Sequence, residues 1–322
     1  MIRNEEMRMK LISVKMSWLL IAVVVLIPLV VAQENALAPR GSSLDPSSYS
    51  NVEQFNPKHL SFKMIVDFNS STVFGNVTHE IESLDGAATT VYMDVWDSVV
   101  VKKAQFFTSS TIEGCPSNIT GVTFNISTPN MNIGNALDIE LPCSIPVGEV
   151  FYLEFEYETT KDSLALSWLT PLQTGGKELP YMYSLCQLNY CRDFAPMMDT
   201  PSQKITYDAT VIAPNAFVVF MSANSTGTTP FNDTHQMYSF NDTIKIPSYL
   251  IAIVVGDLEE RKLSDRVSLI SEAVYLDAAV EEFSELPQIL NITEEYLLPY
   301  IWGTYAIVIM PPSFPWGGMV RK

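Results

Sequence analysis

Apolar residues recur at every second position along much of this chain, and this period of two limits its fold more than any other feature. Between residues 60 and 81, two alternating runs flank the polar pair Ser70 and Ser71. Because successive side chains of a β-strand point to opposite faces, the pattern predicts a hairpin with one buried face. Residues 151–158 repeat it, with aromatic and leucine side chains on one face and glutamates on the other.

Further strands are predicted at 205–211 and 217–221, and the continuous apolar run 249–255 predicts a strand covered on both faces. Turn residues recur between these segments. The fold class predicted for 46–257 is therefore mainly β, a large antiparallel saddle or sandwich. The chain has 322 residues, of which 47% are hydrophobic, so it is long enough for one large or two medium domains with real cores.

The pattern changes beyond the predicted saddle. Residues 267–270 predict a short strand, 275–298 have helical spacing, and 305–310 predict another strand. Pro287 is expected to start a second helical segment, because proline fits the first turn of a helix and not its interior. This β-α-β tail, 258–322, is predicted to be the beginning of a second domain.

A hydrophobic leader precedes the predicted saddle. Residues 18–32 are an apolar run behind a basic segment, and Val30 and Ala32 stand at the small-residue positions that a signal peptidase needs. The run is shorter than the roughly 20 residues of a spanning helix, so a signal peptide over 1–32 is favoured over a retained type II anchor. Residues 33–45 are predicted to be a linker. The protein is therefore expected to be secreted, with a membrane-anchored form as the alternative.

Eight N-x-S/T sequons agree with export, because such sites accept N-linked glycans in the secretory pathway. The sequons start at Asn69, Asn76, Asn118, Asn125, Asn224, Asn232, Asn241 and Asn291. The alternation places Asn69 at the hairpin turn and Asn76 on the polar face of its strand. Both positions could tolerate a glycan.

The cysteine usage also suits an oxidising compartment. Four cysteines allow three pairings, of which the two local ones, Cys115–Cys143 and Cys186–Cys191, are favoured. A zinc site is the rival, but the sequence has no C-x-x-C spacing to support it.

Residues that commonly carry catalysis form no recognisable site. None of the three histidines, His59, His79 and His235, has the spacing of a zinc ligand, so all are expected to be structural. The G-x-S-x-G elbow and the glycine-rich phosphate-binding loops are absent. A formal net charge of −17 repels nucleic acid and anionic membranes, so no nucleic-acid partner is expected. Association with a membrane is expected only if the leader is retained as an anchor.

Several segments are long and specific enough to indicate a family. These segments are 45–49, 52–57, 165–192, 199–204 and 311–319. They resemble the gluzincin family of zinc aminopeptidases, in the branch of leukotriene A4 hydrolase and aminopeptidase B. The resemblance covers roughly residues 45–319 in unbroken order.

The resemblance implies a fold that agrees with the strand pattern. An aminopeptidase N-like β-saddle would span 46–257, followed at 258–322 by the first β-α-β part of a thermolysin-like catalytic domain. In the family, a zinc-activated water removes N-terminal amino acids from peptides. Zinc and peptide N-termini are thus the implied cofactor and partner of the full-length protein.

The same resemblance supplies candidate substrate-binding residues. The glutamine that matches Gln187 reaches from the saddle to the N-terminal residue of a bound peptide. The segment that matches Trp316, Gly317, Gly318 and Met319 lines the cleft, where glycine lets an extended substrate backbone approach closely.

Departures from the family pattern limit the implied activity. The family motif continues Gly-Gly-Met-Glu-Asn, and its glutamate holds the substrate ammonium, whereas here Val-Arg-Lys follows Met319 at 320–322. No H-E-x-x-H segment is present, so no catalytic or metal-ligating residue is assigned and no cofactor is expected in this chain. Leu185 stands where close relatives have glutamine, and Trp316 where they have tyrosine.

Three hypotheses follow for the function. The first is that the chain is a truncated, non-catalytic N-terminal portion of a secreted zinc aminopeptidase, inactive by itself. The second is a peptide- or protein-binding module of the extracellular space. The third is association through the incomplete C-terminal part, since the predicted strand 305–310 would have an unpaired edge.

Overall fold

The computed structural model describes residues 45–127 and 132–318, so the predicted signal peptide, all but the last residue of the linker, and Met319 lie outside the described residues. The strands are β1 (Phe55–Asp67), β2 (Thr72–Ser83), β3 (Thr90–Val95), β4 (Val99–Thr108), β5 (Asn118–Thr120), β6 (Phe124–Ile126), β7 (Asn135–Glu140), β8 (Val150–Thr159), β9 (Leu166–Leu169), β10 (Tyr181–Ser184), β11 (Ile205–Pro214), β12 (Val218–Met221), β13 (Asn224–Pro230), β14 (His235–Ile246), β15 (Ile253–Gly256), β16 (Glu259–Lys262), β17 (Val267–Ser271) and β18 (Tyr305–Val308). The α-helices are α1 (Ala273–Glu282) and α2 (Leu286–Tyr296).

A sheet of eight strands, called the large sheet below, has the order β13-β14-β11-β1-β2-β8-β4-β5. Its neighbours are antiparallel except β1 and β11, which are parallel. The predicted hairpin is confirmed as β1 and β2, with Met64 opposite Gly75. On β8, Phe151, Leu153, Phe155 and Tyr157 are fully buried while Glu154 and Glu156 face outward, as the alternation predicts.

The inner face of the large sheet packs against two smaller sheets. One is β12-β15-β10-β9, called the small sheet below, and the other is β3-β7-β6. Phe62 and Phe155 of the large sheet share one buried cluster with Met182, Val255 and Leu137 of the smaller sheets. Each such side chain stabilises the fold by about 1.5–3 kcal/mol when fully buried. The predicted mainly-β class is therefore confirmed.

The prediction of one strand over 249–255 is wrong in its extent. Only β15 is a strand, because a 3-10 turn at Ser248–Leu250 precedes it and the N–H of Ile251 donates to the carbonyl of Ser248 at 2.9 Å. Ile251 and Ile253 are nonetheless both buried. The apolar run therefore reports burial, which a turn packed on the core shares with a strand.

The chain beyond the saddle forms a third layer. β16, β17 and β18 make a sheet in that order, with β17 and β18 parallel and joined through α1 and α2. Pro287 lies in the first turn of α2, as predicted. β18 is shorter than the predicted 305–310, and among the described residues it pairs with β17 alone. Neither α1 nor α2, nor any other helix within 45–127 and 132–318, is long and apolar enough to cross a bilayer.

Two disulfides join the cysteines in the favoured pairing. Cys115 and Cys143 have Cα atoms 5.3 Å apart, and those of Cys186 and Cys191 are 4.5 Å apart. No cysteine within the described ranges is free. The rival prediction of a cysteine zinc site is therefore wrong, since disulfide sulfurs have no thiolate to offer a metal.

Candidate functional site

Gln187 lies in a short loop that the Cys186–Cys191 disulfide closes directly after β10. Both cysteines are fully buried, whereas Gln187 is half-buried and Leu188 is 84% exposed. The loop is thus fixed at both ends by core residues and presents its middle to the surface. This geometry suits a side chain that must reach out from a rigid scaffold.

Immediately after the loop, Arg192 is buried between two carboxylates. Its Nε is 3.1 Å from Oδ2 of Asp199, and its Nη1 is 3.4 Å from Oδ1 of Asp94. Nη1 also donates to the carbonyl of Ile133 at 2.6 Å, and Nη2 to the carbonyl of Asp199 at 2.7 Å. Although burial opposes it, the two carboxylates raise the pKa of Arg192. A buried guanidinium needs such pairing, so this cluster fixes the far end of the loop.

Asp94, on β3, connects the ion pair to the start of the saddle. Its Oδ2 accepts three hydrogen bonds, from the hydroxyl of Ser48 at 2.6 Å, the hydroxyl of Ser50 at 2.7 Å and the N–H of Asp199 at 3.0 Å. Its Oδ1 accepts the N–H of Tyr49 at 2.7 Å. Burial raises the pKa of Asp94, against the lowering effect of the guanidinium. Three of the segments that carry the family resemblance thus meet in one buried polar cluster.

Asp193, the next residue, is also buried. It accepts hydrogen bonds from the hydroxyl of Ser98 and the N–H of Leu164, and its carbonyl accepts the hydroxyl of Ser163 at 2.6 Å. Burial raises the pKa of Asp193 to about 6. These contacts connect the loop to the residues that precede β4 and β9.

Residues 194–196 hold the loop against the inner face of the large sheet. The Phe194 ring lies 5.8 Å from that of Phe62, and Nε2 of His79 is 3.0 Å from the carbonyl of Pro196. A carbonyl only accepts, so Nε2 carries the proton. Burial lowers the pKa of His79 to about 4, which keeps the ring neutral near pH 7. His79 is therefore a structural residue, as predicted.

The other histidines also have structural partners. Nε2 of His59 is 2.7 Å from Oδ1 of Asp208, and Nδ1 of His235 is 2.8 Å from the hydroxyl of Thr234. Across the part of the chain that the structure describes, no group of three His, Cys, Asp or Glu residues is placed to hold a metal ion. The described histidines, cysteines and carboxylates therefore do not fit a zinc ion, and no hydrolytic role is assigned to them.

The second candidate segment, 311–318, packs beside β10. The Phe314 ring is 5.3 Å from that of Tyr183, and the hydroxyl of Ser313 donates to the carbonyl of Gln173 at 3.0 Å. Tyr181 and Tyr183 face this tail, whereas Met182 between them belongs to the main core. The structure thus brings both candidate segments to β10. The loop with Gln187 follows the end of this strand, and segment 311–318 lies along its outer face.

Gly317 and Gly318 are exposed, and a Cβ added to either would meet nothing within 4 Å. Neither is among the glycines with positive φ. Packing and backbone conformation therefore do not require glycine at either position, which leaves room for another backbone to approach. Trp316 beside them is 54% exposed, and Met319 lies outside the described residues.

A carboxylate that sequence reasoning missed connects the tail to the saddle. Glu272, between β17 and α1, is buried, and its two oxygens accept the N–H groups of Gly175 at 2.8 Å and Gly176 at 3.0 Å. Successive backbone N–H groups that point the same way form an anion-binding concavity. The adjacent glycines were a usable signal for such a turn, but their partner is far away in the sequence.

Comparisons with known proteins agree with this architecture. The family described as the peptidase M1 N-terminal domain matches residues 56–250. Leukotriene A-4 hydrolase of Xenopus laevis is 37% identical over 277 residues, which are 85% of this chain and 44% of that protein. Leucine aminopeptidase 2 of Emericella nidulans is 30% identical over 277 residues, 85% of this chain and 43% of that protein. The chain therefore spans less than half the length of these curated relatives.

Solved structures give the same picture. Native yeast LTA4 hydrolase superposes with a TM-score of 0.75 at 29% identity, over 87% of this chain and 42% of that one. An M1 zinc metallopeptidase from Deinococcus radiodurans gives a TM-score of 0.62 at 19% identity, over 80% of this chain and 57% of that one. The second likeness is one of fold alone, and it supports the predicted β-saddle architecture.

Proposed function

The chain belongs to the family of the peptidase M1 N-terminal domain, and from that membership we propose that it forms the substrate-facing N-terminal part of an exported zinc aminopeptidase. The observation that carries the proposal is the contact between Tyr183 and Phe314. Through it, the segment with Gly317 and Gly318 packs on β10, the strand that the loop with Gln187 follows in the chain.

The role assigned to this chain is binding and not bond cleavage. Gln187 offers an amide that can accept from the N-terminal ammonium of a peptide, and the two glycines offer main-chain groups to its backbone. The hydrolytic zinc of the full-length family would need ligands that the described residues do not provide. Removal of N-terminal amino acids is therefore proposed for the complete protein only.

Export is the second part of the proposal. It is supported by the hydrophobic leader, by the two disulfides, and by the exposure of the sequon asparagines, of which only Asn76 is half-buried. Cleavage of the leader would leave Gln33 as the first residue, whereas a type II anchor would retain it. Mass spectrometry of the exported chain's N-terminus distinguishes the two forms.

Binding can be tested with fluorescent peptides that differ only at the N-terminus. We expect the purified chain to bind a peptide with a free N-terminus and to lose several-fold affinity when that terminus is acetylated. Gln187→Ala should weaken binding, whereas the control Gln105→Ala, on the outer face of the large sheet, should not. Equal affinity for both peptides, or a Gln187→Ala variant that binds as tightly as the wild type, would contradict the proposal.

A freestanding peptide-binding module is the second candidate. The exposure of Leu188 and Trp316 on the two candidate segments favours it, since exposed apolar residues often mark interaction surfaces. Zinc-dependent release of an N-terminal amino acid from a chromogenic amide by the purified chain would exclude this alternative. It would also contradict the proposal that this chain binds peptides without cleaving them.

A further inference from the structure

Both edge strands of the large sheet carry a sequon asparagine. The strand order makes β13 and β5 the edges, Asn224 is the first residue of β13, and Asn118 is the first of β5. Both asparagines are exposed. We propose that N-linked oligosaccharides on Asn118 and Asn224 cap the two edges of the large sheet and prevent it from pairing with strands of other molecules.

β13 is the edge that most needs a cap. All seven of its residues are exposed and none is charged, and among the strands that the structure describes its only neighbour in the sheet is β14. An edge strand presents unpaired N–H and C=O groups, and proteins protect such edges with charge, bulges, short length or a cover. β13 has one irregularity, between Ser225 and Gly227, whereas β5 has only three residues. The glycan on Asn224 should therefore matter more than the glycan on Asn118.

The strand register directs both side chains away from the core. Asn224 lies opposite Asn241, which in turn lies opposite Asp208 on β11. Asn118 lies opposite Phe107 on β4. Directly opposite residues share a face of the sheet, and these partners are on the face that the core does not cover. A sugar chain can therefore leave either edge into solvent without displacing a buried side chain.

The covalent step is a glycosyl transfer that rests on the export proposed above. An oligosaccharide on a lipid diphosphate is the donor, and a transferase of the secretory pathway supplies the catalysis. The bond from Nδ2 of asparagine to C1 of the first sugar forms as the bond from C1 to the diphosphate oxygen breaks. Nδ2 loses one proton and the lipid diphosphate leaves. No oxidant or reductant is needed.

Other sequons of the same sheet provide matched controls. Asn69 is in the turn between β1 and β2, and Asn76 is on the central strand β2. Removing a glycan from either position leaves both edges capped. Asn125 and Asn291 lie outside the large sheet and do not bear on the proposal.

The first test maps the glycans on the full chain, expressed with its own leader in animal cells. Peptide N-glycosidase in heavy-oxygen water converts each glycosylated asparagine to a labelled aspartate that mass spectrometry identifies. We expect labelled sites at residues 118 and 224. An exported chain without glycans at these two sites would overturn this proposal alone. A chain that stays in the cytosol would overturn the proposed export as well.

The second test asks what the edge glycans do. Asn224→Gln and Thr226→Ala both destroy the sequon that starts at Asn224, by different side-chain changes. We expect each to raise the aggregated fraction several-fold in light scattering and size-exclusion chromatography, with Asn69→Gln remaining like the wild type. Equal behaviour of all three variants would overturn the proposed role.

A third measurement does not depend on whether the variants fold. Enzymatic trimming of the folded, exported wild-type protein takes away glycans after the fold has formed. We expect trimming to raise aggregation. The same treatment of the Thr120→Ala/Thr226→Ala double variant should add less, because this variant already lacks the sequons of both edge strands. A trimmed wild-type protein that remains monodisperse would contradict the capping role.

Discussion

The guanidinium of Arg192 and the carboxylate of Asp199 form an ion pair inside the protein, with Nε 3.1 Å from Oδ2 and side-chain exposures of 0% and 1%. The two residues flank the segment that packs on the inner face of the large sheet. Their pairing, with Asp94 on the other side, holds the loop that presents Gln187.

Removing the guanidinium should leave two carboxylates buried without compensation. We expect Arg192→Met to reduce the free energy of unfolding by about 3–5 kcal/mol, measured by urea denaturation. The control is Lys161→Met, which breaks the pair with Asp162 where both side chains are more than two-thirds exposed, at 71% and 74%. That change should cost no more than about 1 kcal/mol. Similar losses for the two variants would argue against a special role of the buried cluster.

Two buried groups should make opposite contributions to the pH dependence of stability. Burial lowers the pKa of His79 from 6.5 to about 4, so the unfolded chain binds more protons there and stability is lost as pH falls from 6.5 to 4. Burial raises the pKa of Asp193 from 3.8 to about 6, so the native protein binds more protons there and stability is lost as pH rises from 3.8 to 6. The two contributions offset each other in the wild type.

Substitution should expose each contribution in turn. Relative to the wild type, Asp193→Asn should gain stability as pH rises from 4 to 6, by at most about 3 kcal/mol, because the opposing effect of Asp193 is gone. His79→Gln should show the reverse slope. Urea unfolding at a series of pH values measures both. Profiles parallel to the wild type would contradict the assigned shifts.

The two disulfides should differ in what they stabilise. Their sequence separations are 28 and 5 residues, and a longer closed loop restricts the unfolded chain more. Replacing Cys115 and Cys143 by alanine should cost about 4 kcal/mol, and replacing Cys186 and Cys191 about 2 kcal/mol. Thermal and urea unfolding give the order, and the reverse order would be contrary evidence. Hydrogen exchange should quicken around Gln187 only in the second variant.

The contact of Glu272 with the Gly175–Gly176 turn should stabilise the junction between tail and saddle. Glu272→Gln replaces one accepting oxygen by an amide group that cannot accept an N–H, and removes the charge. We expect a loss of about 1.5–3 kcal/mol, with faster hydrogen exchange at 175–176. The exposed Glu259→Gln serves as the control and should stay within about 0.5 kcal/mol of wild type. Unchanged exchange in Glu272→Gln would count against the contact.

Substitutions at two distant glycines, Gly256 and Gly317, test packing and substrate approach independently. A Cβ on Gly256 would lie 2.6 Å from the buried ring of Tyr181, so Gly256→Ala should cost about 1–3 kcal/mol. A Cβ on Gly317 meets nothing within 4 Å, so Gly317→Ala should leave the melting temperature unchanged while weakening peptide binding. Melting curves and the peptide titration measure the two effects. A destabilised Gly317→Ala variant would show that the tail is packed more tightly than described.

Sequence periodicity predicted the parts of the fold in which burial and local geometry coincide. The β1–β2 hairpin, the buried face of β8 and the helix start at Pro287 followed from the spacing of residues that are neighbours in the chain. The same reasoning failed at 249–255, because an apolar run records burial and a 3-10 turn packed on the core is as buried as a strand.

The sequence by itself determined which face of each strand is buried, which cysteines could pair locally, and which segments resemble a known family. Tertiary structure alone decided that Arg192 lies between Asp94 and Asp199. It also decided that the Glu272 carboxylate accepts hydrogen bonds from the Gly175–Gly176 turn, and that Asn118 and Asn224 lie on the two edges of one sheet. The physical reason is the range of the information. Periodicity reports how each residue relates to its chain neighbours. A buried ion pair or a sheet edge depends on the path that brings distant segments together, and no local pattern encodes that path.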